Sequence, residues 1–396
     1  MKHKKILFSA GLAWMFDALD VGIVSFIAAA LVKDWHLTSE QIGWIGSINS
    51  LGMAVGAMLA GLAADRWGRK PVLLASLLIF SVASGLSALV TGLSVFLLFR
   101  FFAGIGLGAE LPIASTLISE NEPRETRGRA VVLLESFWAI GWILSAILAY
   151  FVIPHYGWRI VLLICAVPAL YTVFLRTSLP ETKKHSTKIP IRQSMALLWS
   201  KPYVRTTGML WILWFCVVFS YYGMFLWLPT VMVFKGYSLI KSFQFILIMT
   251  LAQLPGYFSA AWLVERVGRK FVLVTYLFGT AASAWAFGSA ETLFGLLLAG
   301  ILLSFFNLGA WGVMYAYTPE QYPHSIRATG TGFAASVGRI GGILGPLFVG
   351  YFISNSYSFN EIFGVFLIAT LIGAVSVMVW GSETKGIPLD SEGTFR

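Results

Sequence analysis

The chain has 396 residues, of which 58% are hydrophobic and only 12% charged, and its formal net charge is +10 at pH 7. A soluble domain carries about 25% charged residues, so these charges are too few to cover a soluble surface, and an ordinary cytosolic enzyme is excluded. The basic residues lie between apolar runs and not along one polar face, which favours membrane topology over nucleic-acid binding. The two cysteines, Cys165 and Cys216, each lie inside an apolar run and form no metal or redox motif.

Twelve apolar runs follow one another along the chain, with short polar turns between most of them. A helix that spans a membrane needs about 20 mostly apolar residues. The charged start of the chain has no small-residue cleavage site after it, and Asp17 and Asp20 interrupt the first run, so we expect a retained first helix and not a signal peptide. The predicted spans lie near 6–32, 41–64, 71–91, 94–118, 130–153, 158–178, 206–233, 239–263, 271–290, 293–317, 327–353 and 361–381.

The basic residues also predict how these spans face. Of the 28 Lys and Arg residues, four lie in loops on one side and two inside spans, which leaves 22 at the N-terminus or in loops on the opposite side. Because Lys and Arg in short loops stay on the cytoplasmic side, we expect a multi-pass protein of the cell membrane with both termini in the cytoplasm. The four on the outer side are Lys33, Arg159, Lys235 and Lys241.

An internal repeat relates the two sets of six spans. The element Gly61–Lys70 recurs as Ala261–Lys270, at an offset of 200 residues. The longest polar stretch separates the two sets, so we expect an N-terminal six-helix half at 1–179, a cytoplasmic linker at 180–204 and a C-terminal six-helix half at 205–396. A second element repeats at the same offset, with Glu120, Pro123 and Arg127 matching Glu320, Pro323 and Arg327.

Two motifs resemble those of the major facilitator superfamily. The run Gly61-Leu-Ala-Ala-Asp65-Arg66-Trp-Gly68-Arg69-Lys70 resembles the signature of that family between spans two and three, and Arg100-Phe-Phe-Ala-Gly104-Ile-Gly106-Leu-Gly108 fits its span four. Parallel repeats of six spans are typical of the same family. The resemblance implies an all-α integral membrane protein with the MFS fold, in which 12 transmembrane helices form two six-helix halves around a central cavity.

A narrower resemblance, to the bacterial niacin (nicotinate) transporters, rests on further segments. That group is itself similar to aromatic-acid/proton symporters, sugar porters and synaptic-vesicle transporter-like proteins. The resemblance implies a non-enzymatic, proton-coupled importer of nicotinate that works by alternating access, with transport of nicotinamide left open. The segments are Trp14-Met-Phe-Asp17-Ala-Leu-Asp20-Val-Gly, Gly108-Ala-Glu110-Leu-Pro112, Leu134-Glu135-Ser136-Phe-Trp138-Ala-Ile-Gly141, Tyr221-Tyr222-Gly-Met-Phe-Leu-Trp-Leu-Pro229, Asn307-Leu-Gly-Ala-Trp311 and Gly338-Arg339-Ile-Gly-Gly342.

The loop motif has a mechanical interpretation. Asp65, near the cytoplasmic end of span two, can pair with an arginine or a helix terminus of a neighbouring helix, which would make an ionic latch favouring one state of the alternating halves. The alternative is that these residues serve only as a topology anchor. The predicted gating residues are Gly61, Asp65, Arg66, Gly68, Arg69, Glu120, Arg127, Glu265, Arg266, Arg269, Glu320 and Arg327.

Six ionisable residues lie inside the predicted spans, where a charge costs about 2.5–3.5 kcal/mol at the helix centre and marks a functional candidate. Four acids face two arginines that stay charged, so we expect at least one carboxyl to bind a proton near neutrality. The alternative is a set of static ion pairs that fixes helix packing. The five predicted to serve in proton coupling are Asp17, Asp20, Arg100, Glu110 and Glu135; the sixth is Arg339.

The resemblance also implies which of these residues form the coupling pair. In the related sugar/proton symporters an aspartate of span one pairs with an arginine of span four, and by motif position Asp20 and Arg100 occupy those places. Glu110 lies about 80° from Arg100 around the same helix, so we expect it to be a separate titrating site.

Arg339 and a set of aromatic residues are the predicted substrate contacts. A guanidinium suits bidentate recognition of a carboxylate, and the glycines beside Arg339 let a ligand or another helix approach; a salt bridge from Arg339 to Glu135 is the alternative. A flat aromatic acid suits aromatic walls with a few polar groups. The predicted substrate-binding residues are Arg339, Tyr221, Tyr222, Asn307, Trp311, Tyr315 and Trp138.

Other functions remain open at this point. A carrier of another aromatic acid, a sugar, a drug or a small organic anion would use the same fold, although Gln253 and Asn307 are fewer cavity amides than sugar porters typically carry. A membrane sensor or receptor would add a signalling domain, for which the loops are too short, and no catalytic constellation supports a membrane enzyme. We expect a monomer in the lipid bilayer whose partners are protons and a small-molecule substrate, with no nucleic acid, metal or cofactor.

Overall fold

The computed structural model describes residues 2–67, 69–121, 127–171, 191–323 and 326–385, and within these ranges the chain forms helices and turns without any strand. The N-terminal helices are α1 (Lys2–Asp34), α2 (Ser39–Trp67), α3 (Arg69–Ser87), α4 (Leu93–Asn121), α5 (Arg127–Tyr156) and α6 (Trp158–Ile164).

Nine further helices follow in the second half of the chain. They are α7 (Ile191–Leu198), α8 (Val204–Phe225), α9 (Leu228–Phe234), α10 (Leu239–Leu251), α11 (Gln253–Arg266), α12 (Arg269–Ser289), α13 (Leu293–Glu320), α14 (Arg327–Ser354) and α15 (Phe359–Trp380).

These helices match the spans predicted from the sequence. Ten helical segments in the described ranges are long and apolar enough to cross a membrane. The apolar segments Leu93–Ala109 and Trp158–Tyr171 lie where the fourth and sixth spans were predicted. The prediction of an all-α, multi-pass membrane protein is therefore confirmed.

Two of the predicted spans are interrupted. The seventh consists of α8 and α9, and Pro229 stands in the first turn of α9; the eighth consists of α10 and α11, and Pro255 stands in the first turn of α11. Proline has no backbone N–H, so it cannot donate to the carbonyl four residues earlier, and the first turn of a helix is where it is best tolerated. Each proline therefore ends the hydrogen-bond ladder of the helix before it, which hydropathy alone does not reveal.

The exposed and buried faces of α3 are the reverse of those in a soluble protein. Leu78, Ile79, Val82 and Leu86 are exposed, whereas polar side chains between them, such as Ser84, are buried. An apolar outer face is expected of a helix whose solvent is lipid. The polar residues of α3 are thus directed towards other helices.

The structure divides into two compact units, of which the first comprises Met1–Lys184, Tyr222–Leu251 and Gly342–Tyr357. Within it α1 packs against α5, and α4 packs against both α2 and α3. The close approach of α2 and α4 depends on glycine, since a Cβ on Gly104 would lie 3.0 Å from the Cα of Gly52.

The second unit comprises His185–Tyr221, Ala252–Gly341 and Ser358–Arg396. Within it α13 packs against α11 and α12, and α12 packs against α15. A Cβ on Gly309 of α13 would lie 3.0 Å from the carbonyl oxygen of Gly256 in α11, so small residues again allow close helix packing. The predicted linker at 180–204 lies partly outside the described residues, and the division into halves there stays a prediction.

Candidate functional site

A buried ion pair joins α1 and α4 in the first unit. Asp20 and Arg100 are both completely inaccessible to solvent, and the Nη1 atom of Arg100 lies 3.1 Å from the Oδ2 atom of Asp20. The structure therefore brings together the two residues that the resemblance implied as the coupling pair. Removing a charge pair from water costs several kcal/mol per ion unless hydrogen bonds satisfy the remaining donors and acceptors.

Two serines of α3 supply those hydrogen bonds. The Nη2 atom of Arg100 donates to Ser84 Oγ at 2.8 Å and to Ser87 Oγ at 3.0 Å, and its Nε atom donates to Ser87 Oγ at 3.3 Å. Ser84 in turn donates to Oδ1 of Asp20. The sequence analysis did not identify these serines, although Ser81, Ser84 and Ser87 recur every three residues along one stripe of α3.

Two further predicted proton-coupling residues lie in the same unit. Asp17 of α1 and Glu135 of α5 are completely buried, and their helices pack against each other. Charged groups at such depth are retained for a function or for a defined packing role. The side chain of Glu110 lies outside the described side chains.

Aromatic residues of the first unit include two of the predicted substrate contacts. The rings of Trp138 and Trp14 lie 4.7 Å apart with an interplanar angle of 37°. Tyr222 is buried, and its hydroxyl donates to the Sδ atom of Met53 at 3.8 Å. The tryptophan pair thus links α1, which carries Asp20, to α5.

A second aromatic group lies in the second unit and contains three predicted contacts. The ring of Trp311 lies 4.7 Å from that of Tyr221 and 5.8 Å from that of Tyr315. Asn307 and Trp311 are only 2% and 3% exposed, yet the Asn307 Oδ1 atom and the Trp311 Nε1 atom have no hydrogen-bond partner within the described part of the chain. A buried polar atom without a partner costs about 1–3 kcal/mol. Such atoms therefore suit the polar groups of a bound ligand.

Arg339 lies half-buried on α14 of the second unit. The glycines on either side of it pack against α8, because a Cβ on Gly338 would lie 3.0 Å from the Trp214 ring and one on Gly341 would lie 2.6 Å from the Phe215 carbonyl oxygen. The sequence analysis left open whether these glycines make room for a ligand or for another helix. The structure shows that they make room for α8.

Two predicted gating residues of the second unit form an ion pair where the N-terminal end of α12 meets the C-terminal end of α13. The Nε atom of Arg269 lies 3.2 Å from Oε2 of Glu320. The Nε atom of Arg327 donates to the Pro319 carbonyl at 2.9 Å. Glu265 is exposed, and the guanidinium of Arg266 lies 4.1 Å from the centre of the Trp262 ring.

The segment after α15 also contacts this ion pair, and the sequence analysis missed its role. Glu383 accepts hydrogen bonds from the backbone N–H groups of Arg269 and Lys270 at 2.9 and 3.0 Å, at the N-terminus of α12. Thr384 donates to Glu320. Gly268, with φ +117°, allows the turn before α12, and a Cβ there would lie 2.5 Å from the Glu383 carboxylate.

The environment of Glu383 shifts its proton equilibrium. Partial burial raises the pKa of its carboxyl, but hydrogen bonds from the backbone N–H groups of Lys385, Arg269, Thr384 and Lys270 outweigh burial, and the pKa is lowered from its usual value. Glu383 therefore stays ionised at neutral pH and acts as an anionic cap on α12.

The first-half copy of the gating element cannot be compared with these contacts. Its residues Gly61, Asp65, Arg66, Gly68, Arg69, Glu120 and Arg127 lie outside the described residues and side chains, so their predicted roles stay predictions. No group of three or more His, Cys, Asp or Glu residues that could hold a metal ion occurs among the residues that the structure describes.

Comparisons with known proteins agree with this architecture. The sequence profile of the Major Facilitator Superfamily matches residues 8–259 and 244–393. The chain is 58% identical over 394 residues to the putative niacin/nicotinamide transporter NiaP of Bacillus subtilis (strain 168), with 98% of each chain covered.

Two further likenesses concern a second bacterial transporter and a solved structure. The chain is 47% identical over 424 residues to the niacin transporter NiaP of Acinetobacter baylyi (strain ATCC 33305 / BD413 / ADP1), covering 99% of this chain and 96% of that protein. The crystal structure of a D-xylose-proton symporter has the same fold, with a TM-score of 0.79 at 20% identity over 96% of this chain and 98% of that one. The chain, with its buried ion pair, its repeated loop motif and its twelve apolar runs, belongs to the Major Facilitator Superfamily.

Proposed function

We propose that this chain is a secondary active transporter that imports niacin, as nicotinate, across the cytoplasmic membrane by alternating access in symport with protons. Identities of 58% and 47% to proteins named as niacin transporters support the substrate. The observation that carries proton coupling is the Asp20–Arg100 pair, which is buried completely among apolar helices. The transporter moves its substrate without converting it, acts as a monomer and has both termini in the cytoplasm.

The buried pair offers a direct route from proton binding to a change of state. An ionised Asp20 compensates the charge of Arg100 and holds α1 against α4. A protonated Asp20 leaves the arginine with neutral acceptors only, which changes the free energy of this helix contact. A proton that binds one transport state better than the other shifts the equilibrium between them. Asp17, Glu110 and Glu135 are proposed as further proton-binding groups.

The aromatic residues provide the chemistry that nicotinate requires. Its flat ring matches the faces of Tyr221, Trp311 and Tyr315. The polar atoms of Asn307 and Trp311 that have no hydrogen-bond partner among the described residues suit its polar groups. The guanidinium of Arg339 is proposed to hold the carboxylate. Trp138 and Tyr222 are proposed as further substrate contacts.

The gating motif is proposed to bias the alternation between states. In the second unit, the contacts among Arg269, Glu320 and Glu383 tie α12, α13 and the segment after α15 together. The repeated element around Asp65 is proposed to do the same in the first half. The moving bodies are then the halves 1–179 and 205–396, joined by the linker at 180–204.

Uptake into proteoliposomes tests the substrate and the coupling together. Radiolabelled nicotinate should accumulate when an inward proton gradient is imposed and should leak out when a protonophore dissipates the gradient. Unlabelled nicotinamide and benzoate, added in competition, measure the contributions of the carboxylate and of the ring nitrogen. Absence of saturable nicotinate uptake would overturn the substrate, whereas accumulation insensitive to the protonophore would overturn only the proton coupling.

The variant Asp20→Asn examines the pair itself. We expect it to abolish gradient-driven accumulation, because an amide cannot take up and release the proton, while exchange of labelled for unlabelled nicotinate across the membrane persists. Glu40→Gln is the matched control, since Glu40 is an exposed acid and should transport like the wild type. Full gradient-driven uptake by Asp20→Asn would remove this residue from the coupling mechanism.

A further inference from the structure

We propose that Ser84 is a positioning residue for proton coupling, which stabilises the Asp20 carboxylate when it is ionised and the Arg100 guanidinium when Asp20 is protonated. This inference deepens the proposed function and rests on it. The observation behind it is that one buried hydroxyl, from a third helix, bonds to both members of the ion pair.

The two serines beside the pair have different hydrogen-bond roles. A serine hydroxyl has one donor and two acceptor positions. Ser87 donates its proton to the Ala83 carbonyl of its own helix at 2.8 Å and can therefore only accept from Arg100. Ser84 accepts from Nη2 of Arg100 at 2.8 Å and donates its proton to Oδ1 of Asp20. Ser84 is therefore the serine whose donated hydrogen bond is strengthened when the Asp20 carboxylate is ionised.

The two serines also stabilise the charge of Arg100 when Asp20 is neutral. If Asp20 binds a proton, the guanidinium keeps the hydroxyl oxygens of Ser84 and Ser87 as acceptors, and the Phe96 ring centre lies 5.7 Å from its Cζ atom. Breaking a buried pair is costly chiefly when one partner is left as an uncompensated charge. Neutral acceptors that stay in place reduce this cost, so the proton can leave and return during a transport cycle.

The groups around Asp20 do not duplicate the role of Ser84. Asp17 lies one turn earlier on α1, Glu135 is buried on α5, and Cys165, after α6, lies close enough to interact electrostatically with both Asp20 and Arg100. The other helices packed against α1, which are α2, α9 and α10, place no charged side chain among the fully buried residues of the described chain. Among the hydrogen bonds of the described residues, only those of Ser84 reach both Asp20 and Arg100.

The pH dependence of nicotinate uptake tests this role with three variants. Ser84→Ala leaves the ionised carboxylate with one hydrogen-bond donor fewer, so uptake should persist to a pH about one unit higher than in the wild type. Ser87→Ala removes only acceptors of Arg100, which leaves the arginine more dependent on the carboxylate and should move the profile to lower pH. Ser84→Thr keeps the hydroxyl and should restore the wild-type profile.

Two controls separate this role from a merely structural one. Ser76→Ala removes another buried serine of α3 whose hydroxyl bonds only to the Leu73 carbonyl of its own helix, and its pH profile should be unchanged. Exchange of labelled for unlabelled nicotinate, which reports a folded transporter, should be retained in Ser84→Ala. An unshifted pH profile in an exchange-competent Ser84→Ala protein, or a shift that Ser84→Thr fails to reverse, would overturn the inference. If the wild type itself shows no proton-driven uptake, the proposed coupling fails first, and the role of Ser84 fails with it.

Discussion

At the scale of single residues, buried charge in this protein is balanced by hydroxyl groups as well as by opposite charge. Arg100 uses one hydrogen bond for Asp20 and three for Ser84 and Ser87. Hydrogen bonds to charged groups are worth roughly 1.5–3 kcal/mol each, so the serines stabilise the buried arginine in addition to the aspartate. A residue pair identified by motif is thus only part of the hydrogen-bonded group that is proposed to bind the proton.

Substitution of Arg339 tests the proposed carboxylate anchor. Arg339→Gln should weaken nicotinate binding about tenfold to a hundredfold, which corresponds to one lost charge-assisted hydrogen bond. Nicotinamide has no carboxylate, so its affinity should change little, and the gap between the two ligands should narrow. Arg339→Lys should give an intermediate loss, since a point charge replaces a planar fork. Binding titrations of both ligands to the purified variants measure these effects.

The rival role of Arg339 gives a different pattern. If Arg339 instead forms a salt bridge with Glu135, the Arg339→Gln variant should bind nicotinate and nicotinamide equally less tightly. Neutralising Glu135 in the same protein should then restore its affinity for both ligands. Unchanged nicotinate affinity in a folded Arg339→Gln protein would move the anchor to another group, of which the Asn307 and Trp311 atoms without partners are the next candidates.

At the scale of elements, α12 depends on a carboxylate that is distant in sequence. Glu383 lies 114 residues from Arg269, yet its two oxygens bind the first N–H groups of the helix. These groups have no partner within the helix, and an anion there also interacts favourably with the helix dipole. The segment after α15 thereby holds the end of α12 next to the Arg269–Glu320 pair.

Replacing this carboxylate should destabilise the protein in a pH-dependent way. Glu383→Gln removes the anion, and we expect a loss of about 0.3–1 kcal/mol at pH 7. Because the pKa of Glu383 is lowered in the folded protein, its stabilisation is complete above the usual glutamate pKa of about 4.3 and disappears as the pH falls through the lowered value. The wild type and the variant should therefore converge at strongly acidic pH.

Thermal unfolding in detergent at neutral and at strongly acidic pH measures this difference. The control is Glu265→Gln, which removes the same charge from an exposed glutamate near the C-terminal end of α11 and should leave the unfolding temperature unchanged. A constant gap between the Glu383→Gln variant and the wild type at every pH would show that ionisation of Glu383 does not stabilise α12.

The elements also show what sequence could and could not predict. Hydropathy located the spans that the described residues contain, because a bilayer of fixed thickness requires a fixed length of apolar helix. It did not reveal the breaks before Pro229 and Pro255, since a broken apolar segment has the same average composition as a continuous one. The resemblance to symporters identified Asp20 and Arg100, whereas the direction of the Ser84 hydrogen bond depends on packing between three helices and has no sequence signal.

At the scale of the whole molecule, the asymmetry of basic residues carries the information on orientation. The prediction places 22 Lys and Arg residues on one side and four on the other, which far exceeds a chance split. The repeat at an offset of 200 residues predicts that the equivalent charged loops lie on the same side, because an even number of predicted spans separates them. The predicted orientation and the predicted division into halves therefore rest on two different features of the sequence, the distribution of Lys and Arg and the recurrence of the loop motif.

Labelling of single cysteines in intact cells tests this orientation. Lys241→Cys lies on the side predicted to be outside and Lys201→Cys on the side predicted to be cytoplasmic, and both positions are exposed. A membrane-impermeant maleimide should label the first in intact cells and the second only after permeabilisation, because a charged reagent does not cross the bilayer. The native Cys165 and Cys216 are buried and should give little background, which the unsubstituted protein measures. Labelling of Lys201→Cys alone in intact cells would reverse the proposed topology and place both termini outside.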